Sequence, residues 1–322
     1  MEFDLIELIR QRTAQPRDDV RLGIGDDAAV LAMPAGQELV VAIDTLVDGV
    51  HFPRGTAPSD IGWKALAVNL SDLAAMGASP AWALLSLTLP RADSAFVESF
   101  LDGFVQLAQP HRLALVGGDT TRGPLSVSVA VHGFVPPGKA LTRSGARVAD
   151  VVLVTGTLGD AAAGLNTLQQ PPRGDDERAS LRAYLVDRLN HPTPRLVAGI
   201  ALRDQAHACI DVSDGLLADL GHICSASGVG AEIDVALLPR SSALLGLYDD
   251  TTAMQFALSG GDDYELCFCV SPSKLAQVQA DLSRLGSGAT RIGRIVAVEG
   301  VRVRGHDGEW LDVASSGWEH FA

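Results

Sequence analysis

Between Pro58 and Gly77 the sequence reads as a helix that carries an acid on its apolar face. Ser59 suits the N-cap, Asp60 falls in the first turn, and Gly77 is a natural stop. Ile61, Ala65, Val68, Ala75 and Met76 recur at helical spacing. Asp72 lies four residues after Val68 and seven after Ala65, so it shares their stripe, with Asn69 one turn before it. A carboxylate buried there needs a cation or hydrogen-bond donors to offset its lost hydration. An Asp that only caps a neighbouring loop is the alternative.

Other acids stand in a repeated setting of apolar strand, glycine and carboxylate. Gly23-Ile24-Gly25-Asp26-Asp27 precedes an apolar strand, and its adjacent acids repel unless a cation lies between them or they point apart. A solvated Gly-Asp turn explains the same residues. The strand Leu39–Ile43 runs into Asp44, and the strand Leu113–Val116 into Gly117-Gly118-Asp119, which predicts both acids at strand ends. Asp211 and Asp214 bracket a strand-to-helix turn, where Ser213 or Asp214 can act as a cap. His51 is either structural or functional, and Arg143 either a solvated linker charge or a phosphate ligand. Gly156 to Asp160 leads from a strand into an alanine-rich helix, a setting that can cradle phosphate but matches no nucleotide fingerprint.

The chain has 322 residues, 47% of them hydrophobic, enough for two ordinary domains. Pro136-Pro137-Gly138 and Gly145 break the pattern, so the boundary is set there, with domains at 1–137 and 148–322. A net charge of −14 argues against nucleic acid as partner. Cys209, Cys224, Cys267 and Cys269 have no CxxC spacing, which suits a reducing cytoplasm and neither zinc nor a disulfide framework. The start, Met1-Glu2-Phe3-Asp4, is acidic where a secretion signal is basic, and no apolar run is long enough to span a membrane. Trp318, near the end of the sequence, reads as a packing anchor or a stacking surface.

Taken together, Asp27, Asp44, Asp72, Asp119, Asp211 and Asp214 form an all-oxygen donor set with no Cys or His beside it, which suits Mg²⁺. Several Mg²⁺ with glycine loops point to phosphoryl transfer from a nucleotide. The motifs Gly23–Asp27, Asp44–Phe52, Ala67–Gly77, Val116–Gly123, Leu141–Gly145, Asp211–Leu216 and Ser259–Leu266 together resemble the bacterial thiamine-monophosphate kinases, in the aminoimidazole-ribonucleotide-synthetase-like superfamily. The resemblance implies a two-domain α/β (α+β) fold whose N-terminal sheet pairs across a homodimer. It implies ATP-dependent conversion of thiamine monophosphate to thiamine diphosphate, with several Mg²⁺ ions. The six acids match the family's Mg²⁺ ligands. Gly118, Asp119, Arg143 and Ser213 match nucleotide contacts; His51, Asp262 and Trp318 match the thiamine phosphate pocket. Two departures stand out: Ala42 and Ile43 replace the Ser or Thr often found before Asp44, and Asp262 replaces a frequent Glu. A selenophosphate synthetase would want a Cys near the N-terminus, and the first here is Cys209. A non-catalytic nucleotide sensor could lose metal acids that this chain keeps.

Overall fold

The computed structural model describes residues 2–170 and 177–313, which form two compact units. The first comprises residues 1–73 and 78–139, the second 74–77 and 140–322. Trp318 and most of the polar stretch expected as a loop at 170–180 lie outside the described residues.

In the first unit, α1 (Glu2–Arg12) is followed by β1 (Val20–Leu22), β2 (Val30–Leu31) and β3 (Glu38–Val47). Then come α2 (Pro58–Ala75), β4 (Ser79–Leu89), α3 (Ser94–Ala108), β5 (Ala114–Arg122) and β6 (Ser126–Val135). The order in the main sheet is β3-β6-β4-β5, with β4 and β5 parallel and the other pairs antiparallel. Val127, Val129 and Val131 point to the buried face, as their alternation predicts. On the opposite face Val20, Ala29 and Leu31 pack over Trp82, Val116 and Phe134, and the β3 side is left open. There Leu39, Val41 and Ile43 are exposed, Ile43 by 66%.

Helix α2 begins one residue before the expected cap: Pro58 is its first residue and Ser59 lies inside the first turn. A proline there loses no helical hydrogen bond. The helix ends in a Schellman motif, with Ala78 N donating to Leu73 O, Gly77 N to Ala74 O, and Gly77 at φ 65. The expected stripe is too narrow a description, because from Ile61 to Ser71 only Trp63 is more than marginally accessible. Asn69 is fully buried and Asp72 only half-buried, so the deeper polar group is the amide. Two glycines let α2 and α3 touch backbone to backbone. A Cβ on Gly62 would stand 1.9 Å from Phe100 O, and one on Gly103 would stand 1.8 Å from Ser59 O.

The second unit contains β7 (Val151–Val154), α4 (Asp160–Gln169), α5 (Ala179–Asn190), α6 (Leu196–Leu202), β8 (Ala206–Asp211) and α7 (Leu216–Ser227). It continues with β9 (Gly230–Asp234), α8 (Ser242–Leu247), α9 (Asp250–Ser259), β10 (Leu266–Val270), α10 (Leu275–Arg284), β11 (Thr290–Val296), β12 (Gly300–Arg304) and β13 (Trp310–Leu311). Its sheet runs β13-β12-β9-β11-β7-β10-β8, and only β9 and β12 pair in parallel. The inner strands β7 and β10 are buried along their whole length, which is why they read as unbroken apolar runs. Val152, Val154, Ile210, Cys267 and Cys269 pack with Leu216 and Leu220 of α7 in the main core. A smaller cluster, Ala163, Leu185, Leu244 and Ala253, joins α4, α5, α8 and α9. All four cysteines are buried free thiols, and no described helix is long and apolar enough to cross a membrane.

Alanine at Gly62 or Gly103 should gain about 1 kcal/mol of helix propensity and still lose stability. Overpacking between rigid backbones gives an expected net cost of about 2 kcal/mol or more, read from the urea midpoint of each variant.

Candidate active site

In the first unit, Asp27, Gly118 and Asp119 line one cleft of about 820 Å³, together with Gly23, Gly25, Leu84, Thr120 and His132. Asp26 turns its carboxylate back onto its neighbour, accepting from Asp27 N at 2.8 Å. Asp119 lies within β5, not at its end, because β5 continues to Arg122. Glycine at 118 is required sterically, since a Cβ would meet Leu85 O of the adjacent strand at 1.8 Å. On the wall of the cleft, burial holds the His132 imidazole below its usual pKa, and Nδ1 has no hydrogen-bond partner among the described residues.

Asp44 also lies inside a strand, because β3 runs on to Val47. The open β3 side of the sheet accommodates polar side chains past the acid, as in the 2.7 Å hydrogen bond between Thr45 and Ser128. Asp44 N donates to Asn69 Oδ1 at 3.1 Å, and Asn69 Nδ2 donates to Ala65 O at 2.9 Å. The buried amide therefore ties β3 to α2 one turn from Asp72. Neither Asp44 nor Asp72 lines the 820 Å³ cleft.

His51 sits in the turn after β3, where its Nδ1 accepts from Val47 N at 3.0 Å. A neutral ring in that arrangement carries its proton on Nε2. Lys64 donates to His51 O at 3.3 Å and is 2% exposed. Lys64 falls three residues after Ile61, on the helix's buried side, where a charge breaks the apolar pattern.

In the second unit, Asp211 ends β8 as expected and is buried. Ser213 and Asp214 form the turn into α7. They do not cap the helix; instead Asp219, inside α7, accepts from Ser213 N at 3.0 Å and Asp214 N at 3.1 Å. Burial, then the charges of Asp211 and Asp214, push the Asp219 carboxyl up to about 7. Asp262 N donates to Ser213 O and Tyr264 N to Val212 O, both at 2.8 Å, which brings Asp262 beside the same turn. Asp262 and Tyr264 have left-handed backbones, φ 68 and 51. Each costs about 1–2 kcal/mol, so the surroundings must hold them in place.

Buried carboxylates supply that hold. Asp263 points inward, accepting from Gly159 N at 2.6 Å and Ala161 N at 3.3 Å. The N-terminus of α4, read from sequence as a possible phosphate cradle, is thus filled by the protein's own carboxylate. Burial raises the Asp263 carboxyl well above the usual range, and the nearby Asp160 adds to the rise against the pull of Gly159 N–H and Arg188. Glu265, fully buried, accepts from Thr155 Oγ1 at 2.6 Å, Arg195 Nε at 2.6 Å and Arg188 Nη2 at 2.9 Å. Only Asp262 of this run had been assigned a role from sequence. Arg143 is exposed, and its carbonyl accepts from Ser227 Oγ at 3.4 Å.

The donors suit a hard cation, since the assigned acids are all carboxylates and Asp27 and Asp119 are exposed to a cleft. Among the described residues, no three His, Cys, Asp or Glu side chains gather closely enough to hold a metal by themselves. Mg²⁺ tolerates this, because it usually keeps waters and shares its shell with phosphates.

Residues 25–135 match the N-terminal domain, and residues 147–306 the C-terminal domain, of AIR synthase related proteins. Thiamine-monophosphate kinase of Escherichia coli K12 is 50% identical over 322 residues, covering 100% of this chain and 98% of that protein. The chain belongs to the thiamine-monophosphate kinase family. Among solved structures, the Stenotrophomonas maltophilia K279a kinase is 52% identical with a TM-score of 0.88, covering 96% of this chain and 97% of that one. AaThiL complexed with AMPPCP and TMP is 34% identical with a TM-score of 0.77, covering 99% and 97%. The two-domain AIR-synthase-like α/β fold expected from the motifs is therefore present, with mixed sheets.

Glu265→Gln tests the buried network of this family member. Two largely buried guanidiniums would lose their central carboxylate, with an expected loss of about 3 kcal/mol measured by chemical denaturation.

Proposed function

We propose that this chain transfers the γ-phosphoryl group of ATP to the phosphate of thiamine monophosphate, yielding ADP and thiamine diphosphate. The observation that carries this reading is 50% identity to the Escherichia coli kinase along the full chain. The acceptor phosphate has a second pKa of about 6, so near neutral pH it is already a nucleophilic anion. No general base and no covalent nucleophile are required, and transfer is direct and in-line. The obstacle is repulsion between two polyanions.

Asp27, Asp44, Asp72, Asp119, Asp211 and Asp214 would hold Mg²⁺, which supplies charge neutralisation when bound. Gly118, Asp119, Arg143 and Ser213 contact the nucleotide. The shared cleft of Gly118, Asp119 and Asp27 supports the nucleotide role in the first unit. His51, Asp262 and Trp318 line the thiamine phosphate pocket. Residues 1–137 act as the metal, ATP and dimerisation domain, and 148–322 as the C-terminal α/β domain. The reduced, buried cysteines favour a cytoplasmic location.

The bare face of β3 supports a homodimer. Val41 is 56% and Ile43 66% exposed, and Ile43 lies in register with Ala130, which in turn faces Leu84 of β4. A contiguous apolar sheet face of this kind is a surface that another chain covers.

With Mg-ATP, ADP release is expected on thiamine monophosphate but not on free thiamine or aminoimidazole precursors; turnover on thiamine alone would overturn the assignment. Asp72→Asn should lower kcat by about a hundredfold or more at an unchanged unfolding midpoint, as expected for lost transition-state charge stabilisation. A variant with parental turnover would make Asp72 structural. Ile43→Glu should shift sedimentation velocity from dimer to monomer, and an unchanged coefficient would place the interface elsewhere.

A further inference from the structure

We infer that Tyr264 is a positioning residue for the thiamine end of the substrate, acting by clamping the carboxylate of Asp262; this rests on the assignment of Asp262 made above. The Tyr264 hydroxyl donates to Asp262 Oδ1 at 3.0 Å. The backbone explains why the two side chains meet. Residues 262 and 264 both adopt left-handed φ, while Asp263 between them turns inward to Gly159 and Ala161. Glu265 then turns inward to Arg188 and Arg195. The inward pair anchors the run, and the side chains of Asp262 and Tyr264 are left side by side. Their N–H groups donate to Val212 O and Ser213 O, which lays them against the turn that carries Asp214.

Asp262 is a short carboxylate with less reach than a Glu. A short side chain gains more from a fixed aim. The Tyr264 ring is 8% exposed, so the donor itself is rigidly held. With Oδ1 held by the hydroxyl, χ2 of Asp262 is set and the whole carboxylate is held in one orientation. Thiamine offers a cationic thiazolium and an aminopyrimidine donor, and either pairs well with a pre-aimed carboxylate. Since Asp262 is assigned to the thiamine pocket, a clamp on it acts on substrate binding and not on turnover.

A double-mutant cycle decides this. Tyr264→Phe removes only the hydroxyl and leaves the ring in place. It should raise KM for thiamine monophosphate about tenfold, with kcat and KM for ATP near the parent's, as lost alignment of a charge-assisted contact predicts. Asp262→Gly keeps the left-handed backbone accessible and removes the carboxylate. In the Asp262→Gly background the Tyr264→Phe factor should fall to near one. If Asp262→Gly raises KM but Tyr264→Phe has no effect, or the same effect in both backgrounds, the clamp is refuted while Asp262 keeps its role. If Asp262→Gly leaves KM unchanged, the assignment of Asp262 fails, and the clamp with it.

Discussion

The buried carboxylate of Glu265 organises the second unit around one point. A fully enclosed ion survives only when its hydrogen-bonding capacity is filled, and here two arginines and a threonine fill it. Arg188 comes from the end of α5 and Arg195 from the residue before α6, while Thr155 follows β7. One side chain thus fixes two helices and a strand relative to β10. The loop before β10, residues 260–265, inherits that rigidity. It can therefore hold two non-glycine residues in left-handed conformations that a looser loop would relax.

In the first unit, neutral contacts join α2 to its neighbours α3 and β3. Gly62 and Gly103 bring α2 and α3 to backbone distance, and Asn69 bridges α2 to β3 with an amide. The assigned acids lie outside these contacts, with Asp27 and Asp119 exposed and Asp44 and Asp72 half-buried. The division is physically sensible. Neighbouring carboxylates repel one another, so a frame that does not depend on them tolerates the repulsion better.

Much of this was legible in the sequence because periodicity reports burial directly. The alternation of Val127, Val129 and Val131 and the apolar runs of β7 and β10 gave strands of the observed type and near-observed limits. The acids were legible as a set because each broke an apolar pattern. Their exact settings were not: Asp44 and Asp119 were read as strand ends, since polar residues after them looked like loop, and a bare sheet face was not visible from one strand alone. Asp219 and the partners of Glu265 were also missed. Arg188 and Arg195 stand 77 and 70 residues from Glu265, and no local spacing encodes a pairing over that length. Asp263 hid behind its neighbour, for adjacent acids do not announce which one faces inward.

The occupied end of α4 has a wider meaning. A helix N-terminus with glycines before it attracts any anion, and phosphates are abundant wherever a nucleotide is turned over. By seating the Asp263 carboxyl there, hydrogen-bonded to Gly159 N and Ala161 N, the chain carries its own occupant at that helix end. The positive end of that dipole is withdrawn from competition for phosphate.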